Sequence, residues 1–319
     1  MRLVPAQGQL LEQILDDTYP TWHEGLTRQA YGQWNIAQTR TPWAAAHLAR
    51  VALVDEKGDV LSSAKRYRLA VRIDGHEVEA LGIGALFTPR ARRGRGHASA
   101  LVERLTEEAR ANGAALAMLF SEIGTPFYER LGFRQVPIDE VRIGVKLRGG
   151  SPAMLVRAGH ERDLPALAAM HDVRSAGSRF ALRRDAPHIQ FMLTRKRLLA
   201  GLGPAGVRSI EFHVAEEGAS AVAYVVLSVD AHGWTLVEAG DRDPAGARLG
   251  AMMQVLLARE PSVPPPPVRA WWPRQFPLPP QLEFAERHAA RDVLMVRPLD
   301  DVALPETADD LFYWRSDFF

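Results

Sequence analysis

The turn at residues 93–99 holds the residue types that could most directly do chemistry. Gly94 and Gly96 alternate with Arg93 and Arg95 where an apolar segment gives way to a helical pattern. The first backbone N–H groups of a helix have no partner within the helix, so they can bind an anion, and the helix dipole adds to the effect. Glycine lets a phosphate approach the backbone, and arginine supplies charge beside it. The sequence therefore predicts a phosphate-binding turn.

Two common phosphate-binding motifs do not fit this turn. A Walker A loop would continue with Gly-Lys-Ser or Gly-Lys-Thr, and a dinucleotide-binding fingerprint would need a third glycine after a first βαβ strand. A basic turn that contacts RNA or only solvent stays open as a simpler alternative. The regular strand and helix patterns on either side favour the phosphate-binding interpretation.

The elements that would position the turn are strands before it and a helix after it. Residues 1–50 are mostly helical in pattern, and two hairpins are expected to follow, the second around Asp74–Gly75. The predicted strands of these hairpins are Val51–Asp55, Val60–Arg66, Arg68–Ile73 and Val78–Phe87. After the turn, the pattern predicts a helix with Leu101, Val102, Leu105 and Ala109 on one face, a strand Leu116–Ser121, a short helix Thr125–Leu131 and a strand Val141–Leu147.

The length of 319 residues predicts about two domains. Gly149-Gly150-Ser151-Pro152 is typical of a linker, which gives a mixed α/β domain over residues 1–148 and a second domain over 152–319. The second half repeats the order of the first, with strand patterns at 208–214, 221–228 and 235–239, a helix after Pro244 and a strand Val268–Trp272. We therefore expect a degenerate second copy of the same α/β fold.

Composition and charge exclude several classes of function. The chain has 39 basic and 38 acidic residues, so its net charge of +1 gives no overall reason to bind nucleic acid or an anionic membrane. The absence of cysteine excludes a disulfide framework, a thiolate zinc site and a cysteine nucleophile. No apolar run reaches the roughly 18 residues of a membrane span, and the first residues lack a signal-peptide pattern. We expect a cytoplasmic protein, and the ten histidines show no metal-ligand spacing.

Two blocks of sequence carry a family resemblance. Arg93–Ala98 has the pattern Arg-x-x-Gly-x-Ala and resembles the pyrophosphate loop of the GCN5-related N-acetyltransferases (GNAT superfamily). Ala117–Phe133 resembles the fifth strand of that family and its following helix, with the pattern Tyr-x-x-x-Gly-Phe. The order and separation of the blocks also match, and the resemblance covers residues 50–147. It implies a mixed α/β acetyltransferase fold, followed here by a degenerate domain of the same kind.

Shorter runs resemble a narrower group, the fungal lysine N6-acetyltransferases, which also carry a C-terminal domain. These runs begin at Gly82, Arg93 and Ser121. The chain is also similar to Eis-type aminoglycoside and lysine acetyltransferases. The resemblance implies direct transfer of an acetyl group from acetyl-CoA to a primary amine of a small molecule, such as the lysine side chain. Acetylation of a protein, peptide or aminoglycoside stays open, as does a CoA-binding sensor without activity.

The resemblance also implies how acetyl-CoA would be held. The backbone of Leu86–Thr88 would pair with the pantetheine arm like an added strand, and an N–H near Phe87 would stabilise the oxyanion. Gly82 and Gly84 would permit either a close ligand or tight internal packing. The residues expected to bind the cofactor are Leu86, Phe87, Thr88, Arg93, Gly94, Arg95, Gly96, His97, Ala98 and Ser99. The arginine of the second half, Arg248, is misplaced for the motif, so we expect no CoA there.

Two side chains are expected to move protons. Tyr128 stands at the tyrosine position of the family, where a phenol that is protonated at neutral pH would act as general acid toward the leaving thiolate. Glu122, just past a predicted strand, is the first candidate for the base that accepts a proton from the amine. Water and the terminal carboxylate of Phe319 are the alternatives, because the aromatic segment Leu311–Phe319 is expected to dock.

The acceptor side is expected to be aromatic. Trp22, His23, Glu24, Tyr31 and Trp34 fall in the segment that lines the acceptor in this family, and aromatic rings with a carboxylate suit a cationic amine. Plain packing of helices is an equal alternative. The second half would close the acceptor pocket or mediate a homodimer.

Overall fold

The elements of the first half largely follow the expected order. In a computed structural model, residues 1–146, 154–262 and 264–319 are described. The elements up to residue 145 are β1 (Arg2–Pro5), α1 (Gly8–Trp22), α2 (Arg28–Gln38), α3 (Pro42–His47), β2 (Leu48–Val54), β3 (Val60–Ile73), β4 (His76–Phe87), α4 (His97–Ala111), β5 (Leu116–Ser121), α5 (Pro126–Glu129), β6 (Arg134–Val136) and β7 (Asp139–Val145).

The second half begins its described part at Met154. Its elements are β8 (Leu155–Ala158), α6 (Leu164–Ser175), β9 (Phe180–Leu182), α7 (Ala186–Leu202), β10 (Arg208–Glu217), β11 (Ser220–Asp230), β12 (Gly233–Asp241), α8 (Ala247–Arg259), β13 (Val268–Trp271), β14 (Leu282–Ala289), β15 (Val293–Pro298) and β16 (Leu311–Phe312). The predicted strands and the predicted helix after Pro244 are all present.

The described residues divide into two compact units, and their limits differ from the predicted domains 1–148 and 152–319. Unit 1 contains Met1–Val136, Arg291–Glu306 and Phe319, whereas unit 2 contains Pro137–Ala290 and Thr307–Phe318. The difference arises because β15, from the second half of the chain, pairs with β5 and β6, whereas β7, from the first half, pairs with β13 and β14. The predicted linker at residues 149–152 lies outside the described residues.

Unit 1 is built on a mixed sheet with the strand order β1-β2-β3-β4-β5-β15-β6. The pairs from β1 to β4 are antiparallel, and β4 runs parallel to β5. The stripe predicted on α4 is buried, because Leu101, Val102 and Leu105 pack in one core cluster with Ala117 and Leu119 of β5. Burial of this stripe holds α4 in place, and the glycine turn lies at the N-terminal end of this helix.

The hairpin prediction before the turn was partly wrong. Residues 60–73 form one long strand rather than two, because Tyr67 pairs with Leu48 on one side and with Gly82 on the other. The predicted turn at Asp74–Gly75 is confirmed, with φ of 46° and 84°, which suits a tight two-residue hairpin. A short strand, β1, precedes the expected helices and pairs with β2.

Unit 2 repeats the order of elements found in unit 1. Its sheet has the order β14-β7-β13-β12-β11-β10-β8, with antiparallel pairs except between β12 and β13. A helix, α8, follows β12 through a glycine turn, as α4 follows β4 in unit 1. The expected mixed α/β fold with a second unit of the same kind is therefore confirmed. No helix in the described ranges combines the length and apolarity that a membrane crossing requires.

Candidate active site

Two parallel strands at the centre of unit 1 stop pairing before the first of them ends. β4 and β5 pair from Ala80 to Ile83 on β4, although β4 continues to Phe87. The β3–β4 register shifts in the same region, so that Ala85 and Leu86 lie opposite the single residue Ala64. Ala85 has a φ of 45°, a conformation that is costly for a residue other than glycine and that concentrates at functional sites. The last residues of β4 thus offer backbone groups to a ligand.

The glycine turn lies directly after this strand. Gly94 and Gly96 have φ of 74° and 78°, which L-residues rarely adopt, so both glycines are needed for the path of the chain. Gly96 is the N-cap of α4, and no side chain of the described residues caps that helix. A Cβ at either glycine would have no atom within 4 Å. The first N–H groups of α4, at His97, Ala98 and Ser99, are therefore available to an anion.

The arginines of the turn have different roles. Arg93 is held by the chain itself, because its Nε donates to the carbonyl oxygen of Thr88 at 3.0 Å and its guanidinium lies 5.9 Å from the ring centre of Phe87. Arg92, which the sequence did not single out, pairs with Asp59 at 2.9 Å. Arg95 is exposed and has no ion pair within the described part of the chain. The charge of Arg95 is thus available to a ligand, whereas Arg93 is bonded within the chain.

Phe87 and Thr88 are fixed by side chains of neighbouring elements. The hydroxyl of Ser62 donates to the carbonyl oxygen of Phe87 at 2.9 Å and lies 3.1 Å from the hydroxyl of Thr88. The ring of Trp22 meets the Phe87 ring edge-on, with centres 5.9 Å apart. The predicted cofactor segment is therefore held by a side chain of β3 and is flanked by an aromatic residue of α1.

Tyr128 and Glu122 come close enough to interact electrostatically. Tyr128 is buried on α5, where its ring contacts Phe127 and Phe133 at 4.9 and 6.0 Å. Burial, together with the negative charge of Glu122, raises the pKa of Tyr128 to about 12. Glu122 is exposed, in the turn that the Ser121 hydroxyl closes by donating to the carbonyl oxygen of Gly124 at 2.6 Å. A protonated phenol thus lies near an exposed carboxylate.

Gly82 and Gly84 are required by packing inside unit 1. A Cβ at Gly82 would lie 2.9 Å from Phe319 Cε2, and one at Gly84 would lie 3.2 Å from the Tyr67 ring and 3.4 Å from the Phe319 oxygen. The Phe319 ring also contacts Tyr67 and Phe120, with centres 5.0 and 5.5 Å apart. Of the two explanations for these glycines, a close ligand or tight internal packing, the structure shows tight internal packing. It also places the backbone of Phe319 beside β4.

The aromatic residues expected on the acceptor side form part of a wall on α1 and α2. Tyr31 contacts Trp34 at 6.2 Å and Tyr19 at 5.7 Å, and its hydroxyl lies 3.0 Å from that of Thr18. Lys65 Nζ lies 5.4 Å from the centre of the Trp34 ring. His23 and Glu24 instead belong to the exposed turn after α1. The described ring contacts of the wall are therefore those of tyrosine and tryptophan.

The corresponding turn of unit 2 already holds a carboxylate of its own chain at the N-terminus of its helix. Gly246 is the N-cap of α8 with a φ of 68°, but Oδ2 of the buried Asp241 accepts the N–H of Leu249 at 2.9 Å. A Cβ at Gly246 would lie 3.2 Å from Pro279, where Gly96 has open space. An internal carboxylate thus occupies the position at which unit 1 leaves N–H groups available.

The kink at Ala85 could not be recognised from the sequence, and neither could Arg50, a cation on the same sheet. Positive φ at an alanine has no local signature, and Arg50 acquires its surroundings only from the register of β2 with β3.

The described residues contain no cluster of three or more His, Asp or Glu side chains that could hold a metal ion.

Residues 14–136 match the family model described as acetyltransferase (GNAT) domain. That segment contains the turn, Glu122 and Tyr128. The match to this family model supports acyltransferase activity.

Solved structures extend the likeness to nearly the whole chain. A GCN5-related N-acetyltransferase from Anabaena variabilis has a TM-score of 0.69 at 10% identity, covering 94% of this chain and 73% of that one. A GCN5-related N-acetyltransferase from Kribbella flavida has a TM-score of 0.66 at 18% identity, with coverages of 94% and 71%. Eis1 from Mycobacterium abscessus has a TM-score of 0.57 at 13% identity, covering 94% of this chain and 74% of that one. At these identities the likeness shows the fold alone.

No curated protein matches the sequence. The narrower resemblance to fungal lysine acetyltransferases is therefore not confirmed.

Proposed function

We propose that the protein is an acetyl-CoA-dependent N-acetyltransferase that acts on a primary amine of a small molecule. The observation that carries the proposal is the uncapped N-terminus of α4 at Gly96, directly after the kinked end of β4. A diphosphate at the helix and an extended arm along the strand are the two parts of CoA that these features suit. The lysine side-chain amine is the first acceptor to test.

The residues present fit the cofactor. Gly94–Ser99 would hold the diphosphate through backbone N–H groups, with Arg95 as the added charge, and Leu86–Thr88 would hold the pantetheine arm. Arg93 would act indirectly, because its bond to Thr88 fixes the turn to the strand. Acetyl-CoA supplies an acyl group activated as a thioester.

The chain's own residues would position the amine and move two protons. A backbone N–H near Phe87 would donate to the developing oxyanion, a contribution of about 3 kcal/mol for one well-placed donor. Tyr128 would donate its phenolic proton to the leaving sulfur, since its raised pKa keeps it protonated at neutral pH. Glu122 would accept a proton from the amine, directly or through water. The Phe319 oxygen beside Gly84 keeps the terminal carboxylate as the alternative base.

The proposal is tested by following free thiol release from acetyl-CoA with lysine, polyamines, aminoglycosides and peptides as acceptors. Release with a small amine, together with an acetylated product of the expected mass, supports it. Binding of CoA without release from any acceptor would favour the sensor alternative. Failure to bind CoA would overturn the proposal.

Calorimetry with acetyl-CoA is expected to find a single binding site per chain. Unit 2 has the glycine turn, but Asp241 occupies its helix N-terminus, and a second anion there would meet a like charge. A stoichiometry of two would contradict this expectation.

Glu122→Gln is expected to lower kcat by about 100-fold, the lower end of what a general base contributes. The variant should also lose the rise of kcat with pH that deprotonation of this carboxylate produces. Removing the charge should lower the pKa of Tyr128, since Glu122 helps to raise it, and this shift can be followed by ultraviolet titration.

Glu129→Gln is the matched control for that variant, because Glu129 is an exposed glutamate on the neighbouring α5. It should leave kcat and the pH profile unchanged. Full activity of Glu122→Gln would transfer the role of base to water or to the Phe319 carboxylate.

A further inference from the structure

Gly82 and Gly84 leave one face of β4 without side chains over two successive positions. Alternate residues of a strand point to the same side of the sheet, so the two glycines form a bare track along the strand. The ring of Phe319, which belongs to unit 1, covers this track at Gly82, where a Cβ would lie 2.9 Å from its Cε2. At Gly84 the nearest atoms are those of the Tyr67 ring and of the Phe319 backbone. The Phe319 ring thus fills the end of the track that lies farther from Phe87.

The ring of Phe319 packs against two other aromatic rings. Its centre lies 5.0 Å from that of Tyr67 on β3 and 5.5 Å from that of Phe120 on β5. Phe120 directly follows Leu119, the last residue of β5 that pairs with β4. Phe319 and Phe120 are both partly exposed. The two rings therefore present apolar surface at the point where β4 and β5 stop pairing.

The proposed cofactor contacts give the arm of CoA a direction along β4. Its diphosphate would bind at Gly94–Ser99 and its pantetheine arm at Leu86–Thr88, so the acyl group would follow toward Ala85 and Gly84. From Ile83 onward β4 is paired with β5, which leaves no space between the two strands. An acyl group longer than acetyl would therefore have to turn out of the plane of the sheet.

The face of the sheet opposite α4 is the one that can receive such a group. On the face that α4 covers, Ile83 is buried in a core cluster with Leu101 of that helix. The glycines of the track alternate with Ile83 and therefore face the other way. On that side a lengthening acyl chain would run into the rings of Phe319 and Phe120.

We propose that Phe319 and Phe120 limit the length of the acyl group that the site accepts, so that it takes acetyl and discriminates against acyl groups of four or more carbons. This inference rests on the proposed function and deepens it, because it names the residues that select the donor. In an apolar pocket, one additional methylene changes the specificity by about 10- to 200-fold. The role belongs to the ring of Phe319 and is separate from that of its carboxylate, the alternative base.

The test is calorimetry on the full-length protein with CoA, acetyl-CoA and butyryl-CoA. Wild type should bind acetyl-CoA about 10-fold or more tightly than butyryl-CoA, which carries two more methylenes. Phe319→Leu should bring the two affinities to within about 3-fold by tightening the binding of butyryl-CoA, because leucine lacks the ring atoms that reach Gly82. The same loss of preference is expected in kcat/KM from thiol release.

Phe318→Leu is the matched control, because Phe318 is the neighbouring phenylalanine and is also partly exposed, but its ring contacts Trp271 within unit 2. It should keep the preference for acetyl-CoA. Phe120→Leu is a second variant at the same apolar surface and should weaken the preference as Phe319→Leu does. CoA has no acyl group, so its affinity should be alike in wild type and all three variants and shows that each is folded.

Equal binding of acetyl-CoA and butyryl-CoA by wild type would overturn the inference, as would a preference that persists in Phe319→Leu. If that variant does not bind CoA, Phe120→Leu gives the same decision. A preference lost equally in Phe318→Leu would assign the effect to general loosening and would also overturn the inference. Failure of the proposed function is a different result, because CoA itself would then not bind, and the inference would fall with it.

Discussion

Replacing Gly96 with aspartate is expected to abolish binding of acetyl-CoA, with a loss of affinity of at least 100-fold. Gly96 has a φ of 78°, so any side chain there meets backbone strain of about 1–2 kcal/mol. The aspartate would also bring a negative charge to the helix end proposed to hold the diphosphate. Two unit charges about 4 Å apart repel by about 4 kcal/mol at an effective dielectric constant of about 20. Screening at this exposed turn reduces that value, which is why we expect about 100-fold or more.

Two further variants separate strain from charge. Gly96→Ala keeps the strain without the charge, and open space around Cβ means that it should lose only about 10-fold in affinity. Gly75→Asp adds the same charge at a φ of 84° and also in open space, but in the β3–β4 hairpin. It should bind acetyl-CoA as wild type does while losing similar stability. Normal affinity of Gly96→Asp for acetyl-CoA in calorimetry would mean that the diphosphate does not bind at this turn.

The local part of the site was predictable from the sequence because its signals lie within a few residues. A glycine after a strand and before an apolar stripe specifies a helix N-terminus, and the structure has α4 beginning at His97. Tyr128 and Glu122 belong to one short segment, and their mutual influence follows from that proximity.

The exchange of β7 and β15 between the units could not be predicted in the same way. Residues 293–298 have no local feature that assigns them to the gap between β5 and β6 rather than to unit 2. Strand pairing over such separations depends on the packing of the whole chain, since sequence patterns indicate a strand but not its neighbour. The predicted boundary near residue 150 consequently missed both strands.

Register also decides the parts of the site that the sequence did not reveal. Arg50 and Lys65 become neighbours only through the β2–β3 pairing, and Gly82 and Gly84 are explained only by the approach of Tyr67 and Phe319. The same is true of unit 2, where Asp241 reaches Leu249 across the glycine turn. In each case the chemistry depends on residues that are brought together by the sheet or by a turn rather than by a motif.

Tyr128→Phe is expected to lower kcat by about 100-fold or more, while the affinity for acetyl-CoA changes little. A general acid contributes to the rate about 10²–10⁴-fold, whereas the turn proposed to hold the diphosphate is unaffected by the substitution. The change should be nearly neutral for folding, because the ring stays in its contacts with Phe127 and Phe133, and the hydroxyl makes no hydrogen bond within the described residues. Stopped-flow or steady-state thiol release gives kcat, and calorimetry gives the affinity.

The pH dependence provides an independent measurement of the same role. The pKa of Tyr128 is raised from 10 to about 12, so the phenol stays protonated as the pH rises through 10 and loses its proton only near 12. Wild-type kcat should therefore show no fall caused by this group between pH 6 and about 10. Tyr128→Phe should lower the whole profile without moving its rising limb, which belongs to the base. A variant with wild-type kcat, or one in which only the rising limb moves, would remove Tyr128 from the role of acid.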